Sequence, residues 1–181
     1  MLLSIFEHLF KEEVQKVLGK LKITKVAGPN QIENHILRLL APSLAPALAS
    51  LFNQIIYQGI TPSRWYNSEI ILLHKKGDRG NLNYYRPISL TSNMSKVFLK
   101  IIKNRIFGTL DFQQPIDQAG FHQGFSTVDH ILAINLLIEK SKEYNFPIHF
   151  LFIDFQKAFD SIYHSAVWNS LTQQGVENKV V

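Results

Sequence analysis

Apolar residues recur at three- and four-residue spacing near the start of the chain. Ile5, Phe6, Leu9, Phe10, Val14, Val17 and Leu18 predict one amphipathic helix, with Ser4 and Glu7 as its capping box and an end near Gly19 or Leu21. "VAGPN" (Val26–Asn30) reads as a turn, and Asn30 is placed to cap a short helix through Leu40. A third helix is predicted from Ser43 to Gln58, with Leu44, Leu48, Leu51, Phe52, Ile55 and Ile56 on one stripe and Gly59 beyond its end. The period then changes. Ser68–Lys76 is strand-like, Lys76–Asn81 is a charged turn, and Tyr84–Leu90 is extended around Pro87. Ser95–Leu110 is a basic amphipathic helix whose Lys96, Lys100, Lys103 and Arg105 read as a solvated face. Gln118–Ser126 is a glycine-punctuated loop, after which Ser126 and Asp129 box-cap a helix to about Tyr144. Pro147 precedes the run Phe150–Ile153, which reads as a strand buried on both faces and stops at Asp154. Asp160 is placed to cap a last helix, from about His164 to Gln173, that stops at Gly175. Helices, a strand-and-turn region and then helix–strand–helix give an α+β fold class.

A carboxylate at the end of a buried apolar run is costly unless something meets it. The residues alone leave three partners open for Asp154: a metal ion, a basic side chain such as Lys157, or water. Composition narrows the field only slightly. Of 181 residues, 46% are hydrophobic and 18% charged, which is the balance of a globular chain. Lys and Arg exceed Asp and Glu by 19 to 14, and this net +5 permits a polyanionic partner. The absence of cysteine excludes disulfides, thiolate zinc sites and a thiol nucleophile. The seven histidines include no pair at metal-binding helical spacing. No apolar run reaches the roughly 18 residues of a membrane span, and "MLLSIFEHLF" lacks the basic start of a signal peptide. An intracellular protein, cytoplasmic or nuclear and without a membrane partner, is expected.

Three segments occur in one order: "KKGDRGNLNYYRPISL", "QAGFHQGFSTVDH" and "LFIDFQKAFDSI". Together with "KITKVAGPNQI" and "GITPSRW" they resemble the reverse transcriptases of non-LTR, LINE-type retrotransposons, from about Glu12 to Gly175. The resemblance implies a right-hand polymerase that copies RNA into DNA from a DNA primer, using dNTPs and two Mg²⁺ ions. This chain would be an incomplete hand, the fingers plus part of the palm. Residues 1–62 would form a helical segment before the polymerase motifs, and residues 63–181 a partial reverse transcriptase domain. Phosphoryl transfer needs cations that bridge the reacting oxygens and the triphosphate, and Mg²⁺ wants oxygen ligands. By resemblance Asp154 is the first catalytic, metal-binding aspartate and the backbone carbonyl of Phe155 a second ligand. Phe159 matches the bulky residue beneath the dNTP sugar, where a ring would crowd a 2′-hydroxyl. Arg86, then Lys75 and Lys76, match the basic residues that meet triphosphate or template. No metal is assigned to Asp160.

The sequence departs from the family pattern in places. His122 stands in "GFHQG" where the family commonly has arginine, and Asn30 stands where an aspartate is frequent. The aromatic-x-Asp-Asp motif of the palm is missing, because no Asp-Asp pair occurs anywhere in the chain. A fragment from a degraded or incomplete element, inactive alone, is therefore expected. Two other functions compete with this one. A non-catalytic nucleic-acid-binding remnant of a mobile element would bind RNA without polymerising. A phosphatase or receiver with a strand-end aspartate fits poorly, since Gln156 stands where a phosphatase needs its second Asp.

Overall fold

A computed structural model describes residues 8–115, 117–122 and 124–177. The expected Ser4–Glu7 capping box, with Ile5 and Phe6, lies outside the described residues. The chain divides into two compact units, one reaching to Ile106 and the other spanning Phe107–Val176. Among the described residues the regular elements are helices and one two-stranded sheet, an α+β composition. No helix among the described residues is long and apolar enough to cross a membrane.

Among the described residues the first unit is built on the helices α1 (Lys11–Gly19), α2 (Asn34–Leu39), α3 (Ala41–Gln58) and α4 (Asn93–Asp111), the last running on past Ile106. The heptad-like stripes of the sequence become its core. Val14, Val17 and Leu18 of α1 meet Leu37 of α2, Ala45, Leu48, Phe52 and Ile55 of α3, and Val97, Phe98 and Ile101 of α4. Phe52 is fully buried, which alone is worth about 2–3 kcal/mol. Its ring packs on Phe98 at 5.2 Å and on Trp65 at 6.3 Å, and the latter two meet at 5.7 Å. Helix α3 begins two residues before the predicted start and ends as predicted, with Gly59 in the left-handed conformation (φ 68°).

Amide side chains hold the N-terminal loops onto this core. Asn53 of α3 grips the backbone of Leu9, accepting from its N–H at 2.7 Å and donating to its carbonyl at 3.0 Å. Asn30 does not cap α2, whose N-cap position is Glu33. It donates instead to the Ser92 hydroxyl at 3.2 Å, while Asn93 donates to the Ile32 carbonyl at 2.8 Å. These bonds press the loop onto the chain just before α4. A Cβ on Gly28 would lie 2.2 Å from the Thr91 carbonyl oxygen.

Strands β1 (Glu69–His74) and β2 (Tyr85–Leu90) form an antiparallel hairpin, with Glu69 opposite Leu90 and His74 opposite Tyr85. Lys75 N–H donates to the Tyr84 carbonyl at 2.7 Å, so the 75/84 pair is hydrogen-bonded. Alternation then puts Pro87, opposite Leu72, in a non-bonded pair with its nitrogen facing outward. The missing donor costs the ladder nothing and blunts the outer edge of β2.

The second unit carries α5 (Thr127–Glu143) and α6 (His164–Gln173). The Ser126–Asp129 capping box forms as predicted, with Ser126 N–H donating to the Asp129 carboxylate at 2.7 Å and Val128 N–H to the Ser126 hydroxyl at 3.2 Å. Most apolar positions of α5, among them Ile131, Leu132 and Leu136, stay exposed. Three expectations are corrected here. The run Phe150–Ile153 is not a buried strand, because no described segment forms a ladder with it. Its residues lie in water, Leu151 at 85% exposure. Asp160 does not cap α6, whose N-cap is Tyr163; its own N–H donates to the Lys157 carbonyl at 2.9 Å. In the first unit Arg105 is not on a solvated face. Its side chain is 12% exposed and binds Glu13, with Nε donating to Oε1 at 2.9 Å, and donates to the His8 carbonyl at 2.7 Å.

Two outcomes test this packing. Burial disfavours the charge on Glu13, but the bonds from Arg105 and Phe10 N–H and the guanidinium charge outweigh it and lower its pKa below 4.5. A lowered folded pKa gives stability that is full above 4.5 and lost as pH falls below it. Glu13→Gln should therefore cost on the order of 1 kcal/mol at neutral pH. In urea melts the gap to wild type should close in acid; a gap independent of pH would refute the ion pair's role. Gly28→Ala should cost about 2 kcal/mol, because backbone and not a flexible side chain must yield. An unchanged thermal midpoint would contradict the close approach to Thr91.

Candidate functional site

The basic candidates sit on the hairpin of the first unit. Arg86 lies opposite Leu73 in the ladder, and the backbone bond from Lys75 to Tyr84 extends that register by one pair. Side chains alternate between faces, so Arg86 and Lys75 share one face with Ile71 and Ile88. Tyr85 and His74 occupy the other, their rings 5.1 Å apart. Lys76 follows at the turn. All three cations are exposed, and none has a carboxylate partner among the described residues. Asp78, the acid in the turn, is engaged locally, accepting from Gly80 N–H at 2.9 Å. The hairpin thus presents positive charge and exposed apolar side chains together, with Ile70 at 65%.

A second basic group lies at the start of α4. Lys96 donates to the Asn93 carboxamide at 3.3 Å. Burial and then the nearby charge of Lys25 lower its pKa, since both disfavour a second ammonium.

The acidic and aromatic candidates sit in the second unit. Asp154 is exposed and has no hydrogen-bond or cation partner among the described residues. The salt bridge to Lys157 that the sequence left open does not form. Asp154 ends the apolar run and is followed directly by Phe155, whose ring is also exposed. Phe150 and Phe152 lie side by side, 6.2 Å between centroids and 25° between planes, as alternate residues do on one side of an extended chain. No three carboxylate or imidazole groups converge as a metal cage among the described residues. The donors present, one free carboxylate and an adjoining peptide carbonyl, are hard oxygens that suit Mg²⁺, an ion that keeps several waters. They would fill part of one coordination shell.

Phe159 sits on the turn after Asp154 and meets Phe121 edge to face, with 6.0 Å between centroids. Phe121 was not singled out by the sequence; the available signal was a bulky ring inside a glycine-punctuated loop. Next to it, His122 turns inward. Its Nδ1 lies 3.7 Å from the Asp111 carboxylate and its ring 4.6 Å from Phe125. The residue standing where the family commonly has arginine therefore braces its own loop.

A family model described as reverse transcriptase (RNA-dependent DNA polymerase) matches residues 73–181. Among curated proteins, the RNA-directed DNA polymerase from mobile element jockey of Drosophila melanogaster is 30% identical over 157 residues, covering 84% of this chain and 17% of that protein. The probable RNA-directed DNA polymerase from transposon X-element of the same fly is 33% identical over 159 residues, again 84% of this chain and 17% of the relative. The Pol polyprotein from retrotransposable element R2 of Nasonia vitripennis is 27% identical over 134 residues, 73% of this chain and 13% of its own length. The chain thus spans less than a fifth of these relatives. With the three motifs in register and the match running through both Arg86 and Asp154, the chain belongs to the reverse transcriptase (RNA-dependent DNA polymerase) family, in its non-LTR, LINE-type branch.

Proposed function

We propose that this chain supplies the fingers and the first part of the palm of a right-hand, RNA-directed DNA polymerase of a LINE-type retrotransposon, acting inside the cell. Residues 1–62 precede the polymerase motifs and residues 63–181 carry them. The substrates are an RNA template, a DNA primer and dNTPs, with Mg²⁺ as cofactor. The observation that carries this proposal is Asp154, an exposed carboxylate with no cation partner among the described residues, standing where the family's motif has its first aspartate.

Each candidate has a role that its placement supports. Asp154 and the Phe155 carbonyl would hold part of the magnesium shell. Magnesium, when bound, offsets triphosphate charge and activates the primer hydroxyl. Arg86 offers a planar fork and Lys75 a point charge on one hairpin face, and both bind phosphate oxygens well. Lys76 extends that charge into the turn. The Phe159 ring fills the space that a 2′-hydroxyl would need. One carboxylate is too few for two ions, so the chain alone is proposed to bind substrates without extending a primer.

Binding of labelled single-stranded RNA, followed by fluorescence anisotropy across a salt series, tests the basic face. Affinity should fall steeply with salt. Arg86→Ala should weaken binding and reduce the slope of log K against log salt by about 0.7, the share of one phosphate contact. Salt-independent binding, or an Arg86→Ala protein that matches wild type, would remove the hairpin from the nucleic-acid path.

A further inference from the structure

Two exposed loops of the second unit meet through a pair of rings. Phe121 and Phe159 lie perpendicular, at 86°, yet remain 87% and 77% exposed. The pair is not part of a hydrophobic core. An edge-to-face contact orients as well as attracts, because the electron-poor edge of one ring seeks the electron-rich face of the other.

The backbones beneath the rings are unusual. Phe121 holds a φ of 64° and Lys157 a φ of 49°. For a bulky side chain the left-handed region is a genuine outlier, kept only where the surroundings over-determine it. The surroundings do so at both loops. His122 N–H donates to the Ala119 carbonyl at 3.3 Å, and its ring is fixed between Asp111 and Phe125. The chain must turn left-handed at Phe121 to reach that anchor, and the turn throws the Phe121 ring outward. On the facing loop the Lys157 carbonyl accepts from the N–H groups of Asp160 at 2.9 Å and Ser161 at 3.1 Å, and from the Ser161 hydroxyl at 3.0 Å. Phe159 is thereby set at the crest of a closed turn.

From this geometry we infer that Phe121 is a positioning residue for nucleotide selection: its ring props Phe159 at the angle from which Phe159 meets the sugar of a bound nucleoside triphosphate. The inference rests on the assignment of Phe159 to that sugar. It adds a residue that touches no reacting atom and acts through its neighbour.

The test compares binding of dATP and ATP to the 181-residue chain with Mg²⁺, by titration calorimetry, alongside thermal melts. Wild type should prefer dATP, and Phe159→Ala should abolish the preference. Phe121→Ala should reduce it about threefold or more, the worth of one aromatic pair, through tighter ATP binding at unchanged dATP affinity. Phe121→Tyr, which keeps the ring, should keep the preference. Phe121→Gly, which relieves the left-handed backbone, should melt no lower than wild type and still lose it. Preference lost in Phe159→Ala but intact in Phe121→Ala and Phe121→Gly would overturn the role of Phe121 alone. Preference intact in Phe159→Ala, or no preference in wild type, would overturn the sugar assignment and the inference with it. Equal weakening of both nucleotides in Phe121→Ala would mean a structural role only, and would also overturn the inference.

Discussion

Phe52 touches both Phe98 and Trp65, and through those two contacts the long helix α3 fixes α4 and the short turn that leads into β1. The hairpin owes its position to this aromatic cluster, since its own strands bury almost nothing. Two strands with exposed apolar residues on both faces are marginal by themselves. Their ends are held instead by Trp65 on one side and by the buried start of α4, at Ser92, Asn93 and Ser95, on the other. The basic residues of "KKGDRGNLNYYRPISL" thus ride on an exposed ribbon anchored in a helical core, an arrangement that leaves Arg86 and Lys75 without carboxylate partners among the described residues.

The second unit has the opposite balance. Its helices form where local signals are strong, but they bury little of their apolar surface among the described residues. The run from Phe150 to Ile153 extends this pattern to the segment that bears Asp154. A strand is stabilised by cross-strand pairs and ladder bonds, which lie outside its own sequence. With no described ladder partner the segment keeps the side-by-side placement of Phe150 and Phe152 but forms no sheet. Asp154 is exposed, and it does not stand at the end of a buried central strand.

What the sequence disclosed follows the same division between local and distant causes. The start of α5 was legible because Ser126 and Asp129 cap one another within four residues. The end of α3 was legible because Gly59 alone there takes the left-handed turn readily. Asn30 was misassigned because its partner, Ser92, is 62 positions away and competes with a local cap. Arg105 looked solvated because Glu13, the acid that buries it, lies 92 positions upstream. Periodicity reports a face but not what will cover it. For the candidate site, motif order located Arg86, Asp154 and Phe159, whereas the ring that meets Phe159 came from loop geometry that no spacing rule encodes.

The central functional claim is that Asp154 is an oxygen ligand for a divalent ion even within these 181 residues. Manganese favours oxygen ligands as magnesium does, and its unpaired electrons broaden nearby NMR signals even when binding is weak. Titration of the labelled chain with Mn²⁺ reads this directly from the backbone amide spectrum. The expected result is broadening centred on Asp154 and Phe155 that vanishes in Asp154→Ala while the signals of α1, α3 and α4 stay in place. Broadening centred elsewhere, or undiminished in Asp154→Ala, would contradict it.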